Sequence, residues 1–139
     1  MTTQVIENYT TKIAASRTSC EIQDLLVRHG AQQIMLDYAD GRMVGITFSI
    51  DTDFGPRLFR LPVDVDAIRP PRRPAFFSLA RIWAWRVVKD WLAAQLTLVA
   101  ARMAKLDQVM LPYLLVNGQP LYSAYRDQQL ALTAGEGGE

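Results

Sequence analysis

The sequence predicts a single α+β domain in which two helices cover one face of a three-stranded antiparallel meander. Three observations support this: an apolar pattern of helical period ends at Gly30, three segments then alternate apolar and polar residues, and a long apolar segment of helical period follows a proline-rich connector. A length of 139 residues fits one domain. We expect the order helix, three strands, long helix and small C-terminal element, within a domain spanning residues 18–130.

The N-terminal part of the chain predicts one short helix preceded by an arm. The stretch TSCE fits a capping box, in which Thr18 begins the helix and Glu21 binds back to its N-terminus. The apolar residues that follow share one face, and Gly30 favours the left-handed conformation in which helices end. Residues 1–17 are rich in threonine and only weakly periodic, so we expect a flexible arm or an edge strand there.

Three segments with a period of two residues predict the strands. QQIMLDY is the first strand, Asp40-Gly41 is a tight hairpin turn, RMVGITFSI is the second strand, and RLFRLPV is the third. The face expected to meet the core carries Ile34, Leu36, Tyr38, Val44, Ile46, Phe48, Ile50, Phe59, Leu61 and Val63. The opposite face is polar enough to be either solvated or a binding surface, and it carries Gln33, Met35, Thr47, Ser49, Leu58 and Arg60.

A connector separates the sheet from the long helix. The prolines of VDVDAIRPPRRP exclude a continuous helix there, and a helix is expected from about Phe76 to about Ala104. In the segment VMLPYLLVNGQPLYSAY, the Asn-Gly pair predicts a hairpin or a tight turn into a short terminal helix. We expect residues 131–139 to form a disordered tail.

Three tryptophans lie within nine residues of the long helix, in ARIWAWRVVKDWLAAQL. At 100° per residue Trp91 falls on the apolar stripe, so we expect it in the core. Trp85 and Trp83 fall on either side of that stripe, where they could pack, mediate self-association or stack on a ligand. The apolar arc is wider than one sheet face requires. We therefore expect a second neighbour for this helix, either the same helix of a second copy in a homodimer or the C-terminal hairpin.

The net charge of +1 conceals a basic middle segment. Residues 57–89 carry eight basic and two acidic side chains, a net charge of +6, whereas residues 1–53 carry −3 and residues 90–139 carry −2. Such a segment could form a positive surface that attracts phosphate groups, or its arginines could pair with nearby aspartates. The eight basic side chains are Arg57, Arg60, Arg69, Arg72, Arg73, Arg81, Arg86 and Lys89.

Composition and motif content argue against several classes of protein. Charged or polar residues interrupt the apolar runs, so no segment is expected to cross a membrane. The N-terminus lacks a basic start followed by an apolar stretch, and the single cysteine, Cys20, cannot form an internal disulfide, so we expect a cytoplasmic protein. One histidine, His29, leaves no standard zinc site. The sequence also lacks a phosphate-binding loop and a dinucleotide fingerprint, so we expect no enzyme, no cofactor and no metal.

The stretches EIQDLLVRHGAQQIMLDYADGRMVGITFSI, WRVVKDWLAAQLTLV and LPYLLVNGQPLY together resemble a family of small proteins encoded in bacteriophages and prophages. The resemblance covers residues from about 11 to about 125, and it rests on packing patterns rather than on chemistry. It implies an accessory role in DNA metabolism, or action on a host partner, in the cytoplasm of the host cell.

We therefore expect a small non-enzymatic DNA-binding protein that prefers single strands, forms a homodimer and assists DNA replication or recombination. Single-strand binders combine a basic track with aromatic platforms. The eight basic residues would contact phosphates, and Trp85 or Phe76 would stack on bases. One alternative is a protein-interaction or inhibitor module that uses the apolar helix to bind a host or phage protein. Another is an oligomer that sequesters a ligand in basic pockets at its interfaces.

Overall fold

The computed structural model describes residues 2–64 and 75–137 of the chain, and it describes side chains for residues 14–64 and 80–135. It confirms the α+β class, with a three-stranded antiparallel meander, a long helix and a small C-terminal hairpin. A 3₁₀ turn, Leu111–Tyr113, precedes that hairpin. The elements are α1 (Thr2–Arg28), β1 (Gln33–Ala39), β2 (Arg42–Thr52), β3 (Gly55–Pro62), α2 (Ala75–Ala100), α3 (Leu106–Val109), β4 (Leu115–Val116), β5 (Gln119–Pro120) and α4 (Leu121–Gly137).

The first helix is longer than the sequence predicted. It begins at Thr2, so residues 2–17 are helical and do not form the expected arm or edge strand, and no glycine or proline interrupts the helix. Thr18 does not cap the helix, because its hydroxyl donates to the carbonyl oxygen of Ala14 at 3.2 Å within a continuous helix. The predicted end is confirmed, since Gly30 has a φ of 99° in the turn that follows α1.

The three strands pair in the order β1–β2–β3, as predicted. Asp40 and Gly41 have φ angles of 53° and 75°, which is the geometry of a type I′ hairpin turn. Phe48 of β2 pairs with Phe59 of β3, and their rings stack with centroids 5.6 Å apart. This aromatic pair lies on the face of the sheet that the helices cover.

A bulge changes which residues face the core at one end of the sheet. The register of β1 on β2 shifts after Asp37, so Tyr38 pairs with Met43 and Val44 has no partner on β1. Met43 therefore packs against the core, whereas Val44 is 38% exposed and Tyr38 is 61% exposed. The prediction that Val44 faces the core is wrong, because the inserted residue reverses the alternation on β2. Tyr38 was also predicted to face the core, but it lies opposite Met43 near the end of β1 and is exposed there.

Both long helices run in the same direction as β2. The N–H of Gln32, just after α1, donates to the carbonyl oxygen of Ser49, and Val99 near the end of α2 lines a cavity with Asp51. Both helices thus end where β2 ends, and they contact one another along their lengths. The core between the helices and the sheet contains Ala15, Ile22, Leu26, Ile46, Phe48, Ile50, Phe59, Leu61, Val63, Ala84, Trp85, Leu92, Leu96, Leu106 and Met110.

The C-terminal part of the chain adds to the outer edge of β3. Leu114 forms an antiparallel bridge with Phe59, and Asn117-Gly118 turns the chain from β4 to β5. Helix α4 then extends to Gly137, where we had expected a disordered tail from residue 131. Within residues 2–64 and 75–137, none of the helices combines the length and apolar character needed to span a bilayer.

Candidate nucleic-acid interface

The structure separates the basic residues that the sequence groups together. Arg57 is exposed at the start of β3, where it donates to the backbone carbonyl of Pro56 at 2.9 Å. Arg60 projects from the face of the sheet away from the helices, whereas Arg86 and Lys89 lie on α2 beside α1. The expected single basic surface is thus divided among different sides of the domain. The side chains of four predicted site residues lie outside the part of the chain that the structure describes: Arg69, Arg72, Arg73 and Phe76.

Arg60 belongs to a polar network on the free face of the sheet. Its Nε donates to the Thr47 hydroxyl at 3.4 Å, and that hydroxyl donates to an Asp37 carboxylate oxygen at 2.9 Å. Gly45 leaves space beside the Asp37 carboxylate of this network. A Cβ at that position would lie 3.4 Å from the Asp37 oxygen and 2.8 Å from the backbone oxygen of Leu61. Positions 33, 35, 37, 45, 47, 49, 58 and 60 of this face include no aromatic residue. The free face can contact a phosphate, but it offers no platform for stacking.

Arg81 lies near Arg42, at the end of the sheet where β2 begins. Partial burial lowers the pKa of the Arg81 guanidinium, and the nearby charge of Arg42 lowers it further. Two residues along α2 correspond to a rotation of about 200°, so Arg81 and Trp83 point to opposite sides of the helix. Arg81 therefore does not share a surface with Trp83.

A groove between α1 and α2 brings together charged residues that are distant in the sequence. Its volume is about 360 Å³, and Lys89 forms an ion pair with Glu21 across the two helices. Among the described carboxylates, none pairs with Arg17 or Arg86. The residues that line the groove are Ala14, Arg17, Thr18, Glu21, Arg86, Lys89 and Asp90.

The electrostatics of Glu21 show how closely these charges are grouped. The hydrogen bond from Lys89 holds the pKa of the Glu21 carboxyl below its ordinary value. Desolvation opposes this effect, and the charges of Lys89, Arg17 and Arg86 act in the same direction as the hydrogen bond. Neither Arg17 nor Glu21 was among the predicted site residues. Arg17 lay in the segment assigned to an arm, and no local pattern relates it to residues of α2.

The three tryptophans have different environments. Trp85 is fully buried, so it cannot stack on a base as we predicted, and its indole N–H has no partner among the described residues. Trp91 packs against the core as predicted, with its ring 5.4 Å from the ring of Tyr113 in an edge-to-face contact. Trp83 is 60% exposed and lies three residues before Arg86 in α2, so the two side chains are neighbours on the surface of the helix. Trp83 is the most exposed of the three tryptophans.

A larger cavity lies where the turn between β2 and β3 meets the end of α2. It has a volume of about 810 Å³, and within it Lys105 pairs with Asp53 at 3.2 Å. Asp51, Asp107 and Arg102 also line it, so acidic groups outnumber basic ones. In the part of the chain that the structure describes, no group of three or more metal-ligating side chains could hold a metal ion. The charge of this cavity does not favour a phosphate.

No match was found when the chain was compared with models of known protein families, with curated proteins and with solved structures. The resemblance to phage-encoded proteins stays a prediction.

Proposed function

We propose that the protein binds single-stranded nucleic acid, with DNA as its ligand, on the outer side of α1 and α2, and that it does so without catalysis. We call this side the helical surface and define it by Arg17 of α1 and Trp83, Arg86 and Val87 of α2. The observation that carries the proposal is the exposed indole of Trp83 beside Arg86, next to a groove rich in basic residues.

The two kinds of side chain have different roles in this interface. Trp83 offers an exposed ring for stacking, and base–aromatic stacking contributes about 1–3 kcal/mol per base. Arg17 and Arg86 offer guanidinium groups that no described carboxylate pairs with. The groove carries three basic and two acidic residues, a net charge of +1. This charge is modest, so we expect stacking to supply much of the affinity and the salt dependence to be shallow.

The stacking role is tested with Trp83→Ala and a labelled single strand of about 30 nucleotides in fluorescence anisotropy. Trp83→Ala should remove about 1–3 kcal/mol of binding free energy, which corresponds to an affinity weaker by about 5- to 150-fold. Trp83→Phe retains a ring and should recover most of the affinity. Phe54→Ala is the matched control, because Phe54 is 75% exposed in the turn between β2 and β3, at the other end of the domain. Equal affinities of Trp83→Ala and the unchanged protein would contradict the proposal.

The phosphate contacts are tested by salt titration. Each phosphate contact with a single strand contributes about 0.7 to the slope of log affinity against log salt. Arg17→Ala and Arg86→Ala should each reduce the slope by about that amount. Arg28→Ala controls for loss of an exposed arginine from α1 outside the groove. A large effect of Arg60→Ala with no effect of Arg86→Ala would move the interface to the free face of the sheet.

The connector supplies a further test. Its arginines precede α2 in the sequence and contribute to the net charge of +6 in residues 57–89. Replacing Arg72 and Arg73 together with alanine should weaken binding to all sequences alike and flatten the salt dependence. Unchanged affinity would restrict the interface to α1 and α2.

A second candidate is a protein-interaction module that uses the same surface. Val87 favours it, because this residue is 59% exposed and lies one turn after Trp83 on the same side of α2. Val87→Ser should weaken a protein interface but leave base stacking and phosphate contacts almost unchanged. If Trp83→Ala weakens binding to the single strand and Val87→Ser does not, the result supports nucleic acid as the ligand.

A further inference from the structure

Helix α4 projects from the domain with little support. Its contacts are chiefly with the 3₁₀ turn at Leu111–Tyr113 and with β5, both near its first residues. Every residue from 124 to 135 is exposed. An isolated helix shorter than about 12–15 residues is marginally stable in water, even with favourable composition. The exposed part of α4 is of that length, so a neighbouring surface would be needed to stabilise it.

One side of α4 carries an apolar stripe from Leu121 to Leu132 that is interrupted by Gln128. At 100° per residue, Leu121, Tyr125, Gln128 and Leu132 fall within an arc of about 60°, and Leu130 falls on the opposite side. Tyr125 and Leu132 are 57% and 56% exposed. The first half of this stripe forms a groove with the 3₁₀ turn, with a volume of about 480 Å³. The residues that line it are Leu111, Pro112, Leu121, Tyr122, Ala124, Tyr125 and Gln128.

We propose that α4 docks antiparallel against α4 of a second copy, so that Leu132 of each chain enters the groove of the other. The groove lies on the first half of the helix, and Leu132 continues the same stripe on the second half. An antiparallel pair related by a two-fold axis therefore brings each groove opposite the other copy's Leu132. One contact covers both halves of both helices, as an isologous interface requires.

The area available favours a second copy that binds weakly. A tyrosine that is about half exposed leaves roughly 80–140 Å² uncovered. Leu111, Tyr122, Tyr125 and Leu132 are each 45% to 57% exposed. Together they provide roughly 500 Å² per copy, or about 1,000 Å² for the pair, which is near the lower limit for a specific interface. We therefore expect a dimer that forms in the micromolar range and dissociates on dilution.

Sedimentation velocity over a range from low to high micromolar protein tests this arrangement. The unchanged protein should shift from monomer to dimer, and Leu132→Arg should stay monomeric throughout. Leu130→Arg is the matched control, because Leu130 is 61% exposed on the opposite side of the same helix. It should dimerise as the unchanged protein does. Tryptophan fluorescence confirms that the core is intact in both variants.

Three results would overturn the proposal: a monomer at every concentration, a dimer that survives Leu132→Arg, or equal disruption by Leu130→Arg. The helical surface does not include α4, so Leu132→Arg should leave the affinity for a short single strand unchanged. Failure of the dimer and failure of nucleic-acid binding are therefore distinguishable.

Discussion

Glu21 of α1 and Lys89 of α2 form an ion pair that joins the two helices across 68 positions of sequence. The same carboxyl group is influenced by the charges of Arg17 and Arg86. Glu21 is therefore the negative centre of a basic cluster, and its removal should have effects that removal of a basic residue would not.

Replacing Glu21 with glutamine should strengthen binding to a single strand. The change removes a negative charge beside Arg17, Arg86 and Lys89, so phosphate groups are repelled less. A charge interaction of this size in a solvated groove corresponds to about a two- to five-fold gain in affinity. Anisotropy titration at low salt measures it. Asp24→Asn, one turn along α1 and outside the groove, should have little effect, and an equal gain for both variants would refute a local role for Glu21.

The stability of the domain should depend on pH through the same carboxyl group. Its partners hold the pKa of Glu21 below the ordinary value of 4.5, so the folded state favours the ionised form. This stabilisation is fully present above the ordinary pKa and is lost as pH falls through the lowered pKa. Urea midpoints measured from neutral pH to about pH 3 should therefore decrease more for the unchanged protein than for Glu21→Gln. Parallel curves would show that the ion pair contributes no stability.

Trp85 and Trp83 should differ sharply when they are replaced by alanine. Trp85 is fully buried, and truncation of a buried tryptophan costs about 3–5 kcal/mol in the free energy of unfolding. Trp83 is 60% exposed, so Trp83→Ala should change that free energy by no more than about 0.5 kcal/mol. Urea denaturation measures both values. A large loss of stability in Trp83→Ala would indicate a structural role and weaken its assignment to the binding surface.

Gly45 should not tolerate a side chain. An added Cβ would lie 2.8 Å from the backbone oxygen of Leu61 and 3.4 Å from a carboxylate oxygen of Asp37. Since a backbone atom in a paired strand cannot move away easily, Gly45→Ala should reduce the free energy of unfolding by about 1–3 kcal/mol. Gly135→Ala is the control, because nothing lies within 4 Å of that position. Its unfolding midpoint should be unchanged or slightly higher, as measured by thermal denaturation.

Local signals in the sequence predicted much of the fold. The left-handed residue Gly30 and the hairpin pair Asp40-Gly41 each act over a few residues, and the structure confirms both. The bulge near Val44 was not predicted, although Gly45 stands next to it, because the alternating strand pattern continues through it. Register is decided by the pairing of two strands, which a single strand does not reveal.

The tryptophans show why the candidate site was harder to predict than the fold. The helical pattern placed Trp91 at the centre of the buried stripe and Trp85 at its side. In the structure α1 covers a second side of α2, which buries Trp85 completely and leaves Trp91 partly covered beside Tyr113. The second neighbour of α2 is thus α1 of the same chain, whereas we expected a second copy or the C-terminal hairpin. Arg17 approaches Arg86 through the same helix pairing, so a linear count of charge could not identify the groove.

The separation of α1 from α2 along the chain has a consequence for synthesis on the ribosome. Phe48, Phe59 and Ile46 are almost completely buried, and α2 provides a large part of their cover. A nascent chain that has reached residue 64 holds α1 and all three strands but not yet α2. Its meander is then an apolar layer that lacks the cover of α2, which is the kind of surface that chaperones bind and that aggregates when they are absent. A product terminated before α2 is therefore expected to be degraded rather than to accumulate.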